Sequence, residues 1–209
     1  MQVVEPYEES LDRSPDMVLR EAADLYDGGG RLRKTYDRLS TALDRLGVAH
    51  SLIGGYAVFL HGVRRFTEDI DVLITEEGLG AIREELVGRG YTIVPGSKRS
   101  IRDAETGVRV DFVIAGAYPG DGEAKPLAFP DPAESGEKHD GLRVVDLRTL
   151  IELKLASGMT AAGRLQDLAD VQRLIEGNGL DENYARNLNP YVREKFVELC
   201  EGRGSPVDA

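Results

Sequence analysis

Asp69-Ile70-Asp71-Val72-Leu73-Ile74 alternates acidic with apolar side chains and then becomes wholly apolar, a pattern that predicts a β-strand. Successive side chains of a strand point to opposite faces, so Asp69 and Asp71 share one face. Two adjacent carboxylates repel each other unless a cation lies between them, and Mg²⁺ prefers oxygen ligands. The pattern indicates a magnesium site or, as the commoner alternative for an isolated Asp-x-Asp, a solvated strand face.

A second strand with the same alternation is predicted at residues 108–115. Val108, Val110 and Phe112 share one face, and Arg109 and Asp111 share the other. A lone aspartate on a strand is usually a surface residue. If this strand lies beside the first, Asp111 becomes a third carboxylate and completes a site for two divalent ions.

The glycine pair Gly54-Gly55 lies where a predicted strand, 48–53, passes into a predicted helix, 56–61. Glycine lets a phosphate approach the backbone closely, and a helix N-terminus offers free N–H groups. A glycine pair at a turn is equally often structural. The order along the chain predicts that a phosphate cradle and the carboxylates lie at the same end of a sheet.

The remaining patterns predict strands alternating with helices, then a hairpin and a helical C-terminal part. The expected fold is therefore α/β (α+β), with a mixed sheet flanked by helices. Residues 1–14 are predicted to be a poorly ordered or docking arm, and 116–140 a long loop. The predicted division is an N-terminal arm and short helix (1–30), a core (31–145), a C-terminal helical region (146–203) and a tail (204–209).

Lys154 lies within the apolar stripe of the predicted helix 147–157. A lysine on a core face is costly unless it is paired or faces a cleft, so a phosphate is a fitting partner. The alternative is a lysine that extends from the edge of the stripe to solvent. Asp167 and Asp170, on the next predicted helix, are expected to form salt bridges with Lys154 or with arginines rather than to bind metal.

Composition limits the classes of protein. The chain has 209 residues and a net charge of −11, which disfavours a general nucleic-acid coat protein. No apolar run approaches the roughly 20 residues of a membrane helix, and residues 1–6 do not resemble a signal peptide. The single cysteine, Cys200, fits a reducing cytoplasm. The histidines show no ligand spacing, so no zinc site is predicted, and His61 is expected to pack or cap at a helix end.

As a set, these motifs resemble the DNA-polymerase-β-like nucleotidyltransferase superfamily. The resemblance rests on Gly54-Gly55-Tyr56-Ala57, His61-Gly62, residues 65–72 and Val110-Asp111-Phe112. It is strongest for the small bacterial branch that includes AbiEii-type toxins of toxin–antitoxin systems. The helical segments 150–156 and 164–171 are similar to the helical part of that branch, so the resemblance covers roughly residues 31 to 175.

The resemblance implies roles for individual residues. Asp69 and Asp71 would bind both metal ions, and Asp111 the ion that activates the acceptor hydroxyl. Gly54 and Gly55 would hold the β- and γ-phosphates of a nucleoside triphosphate, with a further contact from Lys154. Independently of the resemblance, Arg65 lies beside the glycine-turn helix and is a candidate to contact phosphate or an acidic acceptor, and the equally common alternative is a solvated basic loop. Two departures are visible: many members have Gly-Ser where this chain has Gly54-Gly55, and an insertion at 158–163 separates Lys154 from Arg164.

The implied activity is transfer of a nucleoside monophosphate from a triphosphate such as ATP to an acceptor hydroxyl, with Mg²⁺ or Mn²⁺ as cofactor and pyrophosphate as leaving group. The acceptor is open among tRNA, a protein and a small molecule, and an antitoxin or a second copy of the chain is an expected partner. The alternative is a catalytically weak or inactive nucleotide-binding or partner-binding module of the same fold. A two-metal hydrolase is a third, less favoured candidate.

Overall fold

The computed structural model describes residues 4–202 and contains one seven-stranded mixed sheet with helices around it. The strand order is β3-β4-β5-β2-β1-β7-β6. β2 pairs in parallel with β5, β1 pairs in parallel with β7, and the other neighbours are antiparallel. The strands are β1 (Ser51–Ile53), β2 (Asp69–Ile74), β3 (Tyr91–Ile93), β4 (Ser100–Asp103), β5 (Arg109–Ile114), β6 (Gly136–His139) and β7 (Leu142–Val145).

Eight α-helices accompany the sheet in the described part of the chain. The predicted helices are confirmed with small shifts of their ends, and a short 3-10 helix, Glu182–Asn187, replaces the piece predicted near 181–188. Residues 203–209, which include the predicted tail, lie outside the described residues. The helices are α1 (Tyr7–Asp12), α2 (Pro15–Tyr26), α3 (Gly30–Leu46), α4 (Gly54–Leu60), α5 (Glu76–Glu85), α6 (Leu147–Thr160), α7 (Leu165–Gly177) and α8 (Arg193–Glu201).

The apolar periodicities seen in the sequence form the core. The inward faces of β2 and β5 bury Ile70, Val72, Val110 and Phe112. Every side chain of α6 from Thr149 to Ser157 is buried, so this helix runs through the interior rather than along the surface. None of the helices described between residues 4 and 202 is long and apolar enough to cross a membrane.

The expectation for the long loop needs correction, and of the two alternatives for the N-terminal arm the structure confirms docking. The predicted long loop contains β6, which pairs with β7 through Asp140-Gly141. Both turn residues have positive φ, 48° and 80°, the geometry of a tight hairpin turn that Asp-Gly favours. The predicted arm is not disordered where it is described, because α1 docks on the molecule: Tyr7 and Leu11 are buried and Arg102 donates to Glu8 at 2.6–2.8 Å.

Candidate active site

Three carboxylates converge at one end of the central strands. β2 and β5 are in register with Asp71 opposite Asp111, and Asp69 lies two residues before Asp71 on the same face. One carboxylate oxygen from each of Asp69, Asp71 and Asp111 lies within 4.8 Å of the others. We call these three residues the acidic trio. Their carboxylates come together because β2 and β5 are adjacent and parallel, the condition that the sequence analysis set for Asp111.

The turn between β1 and α4 packs directly on the acidic trio. Gly54 has φ +67°, and a Cβ placed there would overlap the carboxylate of Asp71. The backbone N–H of Gly55 bonds to Asp71, and a Cβ at Gly55 would overlap the guanidinium of Arg65 and the hydroxyl of Thr67. Gly54 is therefore required by its positive φ and by the close approach of Asp71, whereas the atoms nearest to Gly55 are the ends of two side chains. The predicted proximity of glycine pair and carboxylates is present in the structure.

The electrostatics of the acidic trio disfavour three negative charges without a cation. Burial raises the pKa of Asp71 to about 7, and repulsion from Asp69 and Asp111 adds to the increase. Lys154 and the Gly55 N–H act in the opposite direction but do not outweigh it. An added divalent cation would remove the repulsion, because hard cations bind carboxylate oxygens.

Neighbouring hydroxyls and one arginine orient the trio. Thr67 Oγ1 donates to Asp69 Oδ1 at 3.0 Å. Ser100 Oγ donates to Asp111 Oδ1, and Arg109 Nε donates to the same oxygen at 2.9 Å. Sequence reasoning did not identify Thr67 or Ser100. Thr67 could have been found from the sequence, because it lies two residues before Asp69 and would share its face if the alternation of β2 were extended. Ser100 could not, because its place beside Asp111 depends on the pairing of β4 with β5.

Lys154 contacts two aspartates of α7. Its Nζ donates to Asp167 Oδ1 and Asp170 Oδ2, both at 2.8 Å. Asp167 also accepts a hydrogen bond of 2.6 Å from Ser157. The prediction that Asp167 and Asp170 form salt bridges with Lys154 agrees with these contacts, and the proposed contact of Lys154 with phosphate stays a prediction.

Arg65 is tied to the same group of charges. Its Nε lies 3.2 Å from Asp170 Oδ1, and Asp170 is fully buried. We call Arg65, Lys154, Asp167 and Asp170 the aspartate–cation network. The Nη1 of Arg65 is buried beside Gly55 and has no hydrogen-bond partner among residues 4–202. A buried guanidinium N–H without an acceptor is costly, so this atom is available for an anionic ligand at the glycine turn.

A cavity of about 160 Å³ joins the two charged groups. Gly54 and, from the acidic trio, Asp71 line it, together with Lys154 and Asp167 of the aspartate–cation network. Arg164, whose role the sequence left open, is exposed at its edge. The apolar part of the wall consists of Ile53, Val113, Pro119, Phe129, Leu150 and Leu153. The site thus combines acidic, cationic and apolar surfaces.

Comparison with known proteins gives structural likeness only. No family model matches the chain, and no curated protein matches it. Among solved structures, ANT(2″)-Ia in complex with adenylyl-2″-tobramycin has a TM-score of 0.49 at 13% identity, over 82% of this chain and 98% of that one. Lincosamide antibiotic adenylyltransferase LnuA, lincomycin-bound, has a TM-score of 0.46 at 16% identity, over 68% and 94%.

A third solved structure is similar to a comparable degree. An antigenic nucleotidyltransferase-like protein from Paracoccidioides brasiliensis has a TM-score of 0.49 at 14% identity, over 82% of this chain and 87% of that one. The superfamily resemblance and, within it, the AbiEii-type branch stay predictions. Similarity of this extent does not establish a family or an activity, which must be argued from the site itself.

Proposed function

We propose that the chain is a nucleotidyltransferase that transfers a nucleoside monophosphate from a nucleoside triphosphate to an acceptor hydroxyl and releases pyrophosphate. The observation that carries the proposal is the juxtaposition of the acidic trio with the Gly54-Gly55 turn. The trio favours divalent cations, and the turn that packs on the trio has the unpartnered Arg65 N–H beside Gly55. A metal–triphosphate complex is the ligand that needs both.

The carboxylates fit the cation that this activity requires. Three carboxylates from adjacent strands, one with a pKa raised to about 7, form an all-oxygen set suited to Mg²⁺, with Mn²⁺ as the alternative. Asp69, Asp71 and Asp111 would hold it. When bound, Mg²⁺ would neutralise charge on the triphosphate and acidify the acceptor hydroxyl.

The chain's own residues position the donor. The β- and γ-phosphates would lie at the Gly54-Gly55 turn, where the glycines let Asp71 and Arg65 pack against the backbone, and Arg65 Nη1 would donate to a phosphate oxygen there. Lys154 lies at the cavity wall and acts to lower the pKa of Asp71, which favours the ionised carboxylate. Ser100 and Thr67 keep Asp111 and Asp69 aimed at the same point. Catalysis by such a site is mainly positioning and charge neutralisation.

A catalytically weak or inactive nucleotide-binding module is the second candidate. It is favoured by two contacts: Lys154 is already paired with Asp167 and Asp170, and Arg109 already pairs with Asp111. Both pairs reduce the charge available to a ligand. If Mg²⁺ and a triphosphate raise the melting temperature but no acceptor is labelled, this module is the better description.

The proposals for the donor, the binding partner, the biological role and the location rest on the sequence resemblance. On that basis we propose ATP or another triphosphate as donor, a toxin-like role with an antitoxin partner or a second copy of the chain, and a cytoplasmic location. tRNA, a protein and a small molecule are all retained as acceptor classes. An assay that offers each acceptor class to a labelled triphosphate distinguishes these three acceptors.

The test is incubation with each α-labelled nucleoside triphosphate and Mg²⁺ or Mn²⁺, offering total tRNA, cell protein, small hydroxylated molecules and the chain itself. The expected result is label in one fraction, lost in Asp69→Asn/Asp71→Asn. The matched control is Asp44→Asn/Glu84→Gln, which removes two charges from exposed positions and should leave labelling intact. Equal labelling by wild type and the Asp69→Asn/Asp71→Asn variant would overturn the proposal.

A further inference from the structure

A second group of ligand side chains lies at the other end of α4 from the glycine turn. His61 follows α4, and Glu137 and His139 lie on one face of β6, two residues apart. One ligand atom from each of the three lies within 4.8 Å of the others. The sequence did not reveal this group, because 75 residues of chain separate His61 from Glu137 and the hairpin that carries Glu137 was not predicted.

From this arrangement, we propose that His61, Glu137 and His139 form a Zn²⁺ site distinct from the acidic trio. Two imidazoles and one carboxylate are a ligand set typical of zinc, whereas the acidic trio offers oxygen ligands only. Tetrahedral bonds of about 2.1 Å place neighbouring ligand atoms about 3.4 Å apart, within the separation observed here. A water molecule would complete the fourth position.

The orientation of His61 is an independent observation in favour of a metal. Its Nε2 lies 2.8 Å from the backbone carbonyl oxygen of Val145, which can only accept, so Nε2 carries the proton. The other nitrogen, Nδ1, is then left with a lone pair. A backbone carbonyl that fixes one nitrogen while the other binds is the usual support of a metal-ligating histidine.

Hydrogen bonds and a ring contact fix the positions of His61, Glu137 and His139. The His61 carbonyl accepts a hydrogen bond of 3.0 Å from Asn178, which fixes the end of α4. The rings of His61 and His139 approach edge to face with centroids 4.9 Å apart, and His139 Nε2 lies 2.7 Å from Glu137 Oε1.

The consequence of this site would be structural. β6 is an edge strand whose neighbour in the sheet is β7 alone. A metal held by His61 and by two residues of β6 would join this edge to the end of α4, the helix that begins at the glycine pair. Binding in the folded state alone stabilises the protein, and the edge hairpin should gain most.

The experiment is a Zn²⁺ titration of the full chain against a chromophoric chelator. It is done in the Asp69→Asn/Asp71→Asn background, so that the acidic trio does not contribute and failure of the proposed function does not affect the outcome. We expect one Zn²⁺ per chain, a rise in melting temperature, and slower amide exchange in residues 136–139. His139→Ala and Glu137→Ala, which change residues at the surface, should each weaken binding at least 100-fold.

The matched control is Lys138→Ala, which alters the exposed residue between the two β6 ligands and should leave Zn²⁺ affinity unchanged. Co²⁺ bound in place of Zn²⁺ should show the visible absorption of a tetrahedral site. No binding in the background protein would overturn the proposal, as would affinity unchanged by both His139→Ala and Glu137→Ala.

Discussion

The acidic trio and the aspartate–cation network meet at one cavity, which is lined by Asp71 of the trio and by Lys154 and Asp167 of the network. The two groups differ in how far their negative charge is balanced by cations. Asp167 and Asp170 are matched by Lys154 and Arg65 at 2.8–3.2 Å. The trio has one partly exposed arginine, Arg109, on one of its three carboxylates. Carboxylates that are already paired stabilise the fold, whereas carboxylates held together without enough cations indicate that a cation from solution belongs there.

The largest effect should follow from Asp71→Asn. The substitution removes the central carboxylate of the trio, so we expect nucleotidyl transfer to fall by at least about 10³-fold. Because the buried charge repels Asp69 and Asp111, the metal-free variant should be as stable as wild type or more so. Label transfer and thermal unfolding measure the two quantities. Activity within ten-fold of wild type would mean that the trio is not the reaction centre.

Asp170→Asn should instead act on stability. Asp170 is fully buried and accepts from Lys154, Arg65 and Gln166, so losing its charge leaves two cations undercompensated. Breaking such a buried pair costs about 3 kcal/mol of unfolding free energy. Urea denaturation measures the change. A variant as stable as wild type would show that the aspartate–cation network does not support the fold.

The two groups should also give opposite dependences of stability on pH. The raised pKa of Asp71 means that its favourable contribution is present below its ordinary value of 3.8 and is lost as pH rises towards about 7. The quantity to measure is the difference in unfolding free energy between metal-free wild type and Asp71→Asn. This difference should become less favourable to wild type between pH 4 and 7 and level off above that range.

Asp167 should show the reverse dependence. Burial acts to raise its pKa, but Lys154 and the Ser157 hydroxyl outweigh burial and lower it. Its contribution is therefore present above 3.8 and is lost as pH falls through the lowered value. The corresponding difference between wild type and Asp167→Asn should shrink in acid. Slopes of the same sign for Asp71 and Asp167 would remove the distinction between the two groups.

The smallest effects on transfer and stability should come from two serines, one beside the acidic trio and one beside the aspartate–cation network. Ser100 donates to Asp111 and Ser157 donates to Asp167. Ser100→Ala should reduce transfer about ten-fold with little loss of stability, because it releases Asp111, the carboxylate that we propose as a metal ligand. Ser157→Ala should lower the unfolding free energy by about 1 kcal/mol and change transfer less. Steady-state labelling and urea unfolding of both variants decide whether the two effects are separated in this way.

Local patterns predicted much of the sheet and the members of the acidic trio. The alternation around Asp69 and Asp71 gave the bounds of β2, because an amphipathic strand carries its period in the sequence. Local patterns did not predict that Asp111 lies beside Asp71, because the adjacency and register of two strands depend on long-range packing. For the same reason the sequence did not predict the contact of Arg65 with Asp170, which are 105 residues apart along the chain.

The missed hairpin has a different cause. β6 consists of Gly136, Glu137, Lys138 and His139, which show no apolar alternation, because this edge strand is largely exposed. The Asp140-Gly141 pair is a local signal of a two-residue turn, and weighing it above composition would have found the hairpin. Lys154 illustrates the complementary case: its unusual place in an apolar stripe predicted a partner, and the spacing of Asp167 and Asp170 on the next helix offered them as candidates, which the structure confirms.

The most direct test of the central claim is Mn²⁺ binding followed by electron paramagnetic resonance in the presence of a non-hydrolysable triphosphate analogue. Wild type should bind the ion and nucleotide together, Asp44→Asn should match it, and Asp71→Asn should lose the protein-bound signal. Retention of the wild-type signal by Asp71→Asn would contradict the assignment of the acidic trio as the metal and nucleotide centre.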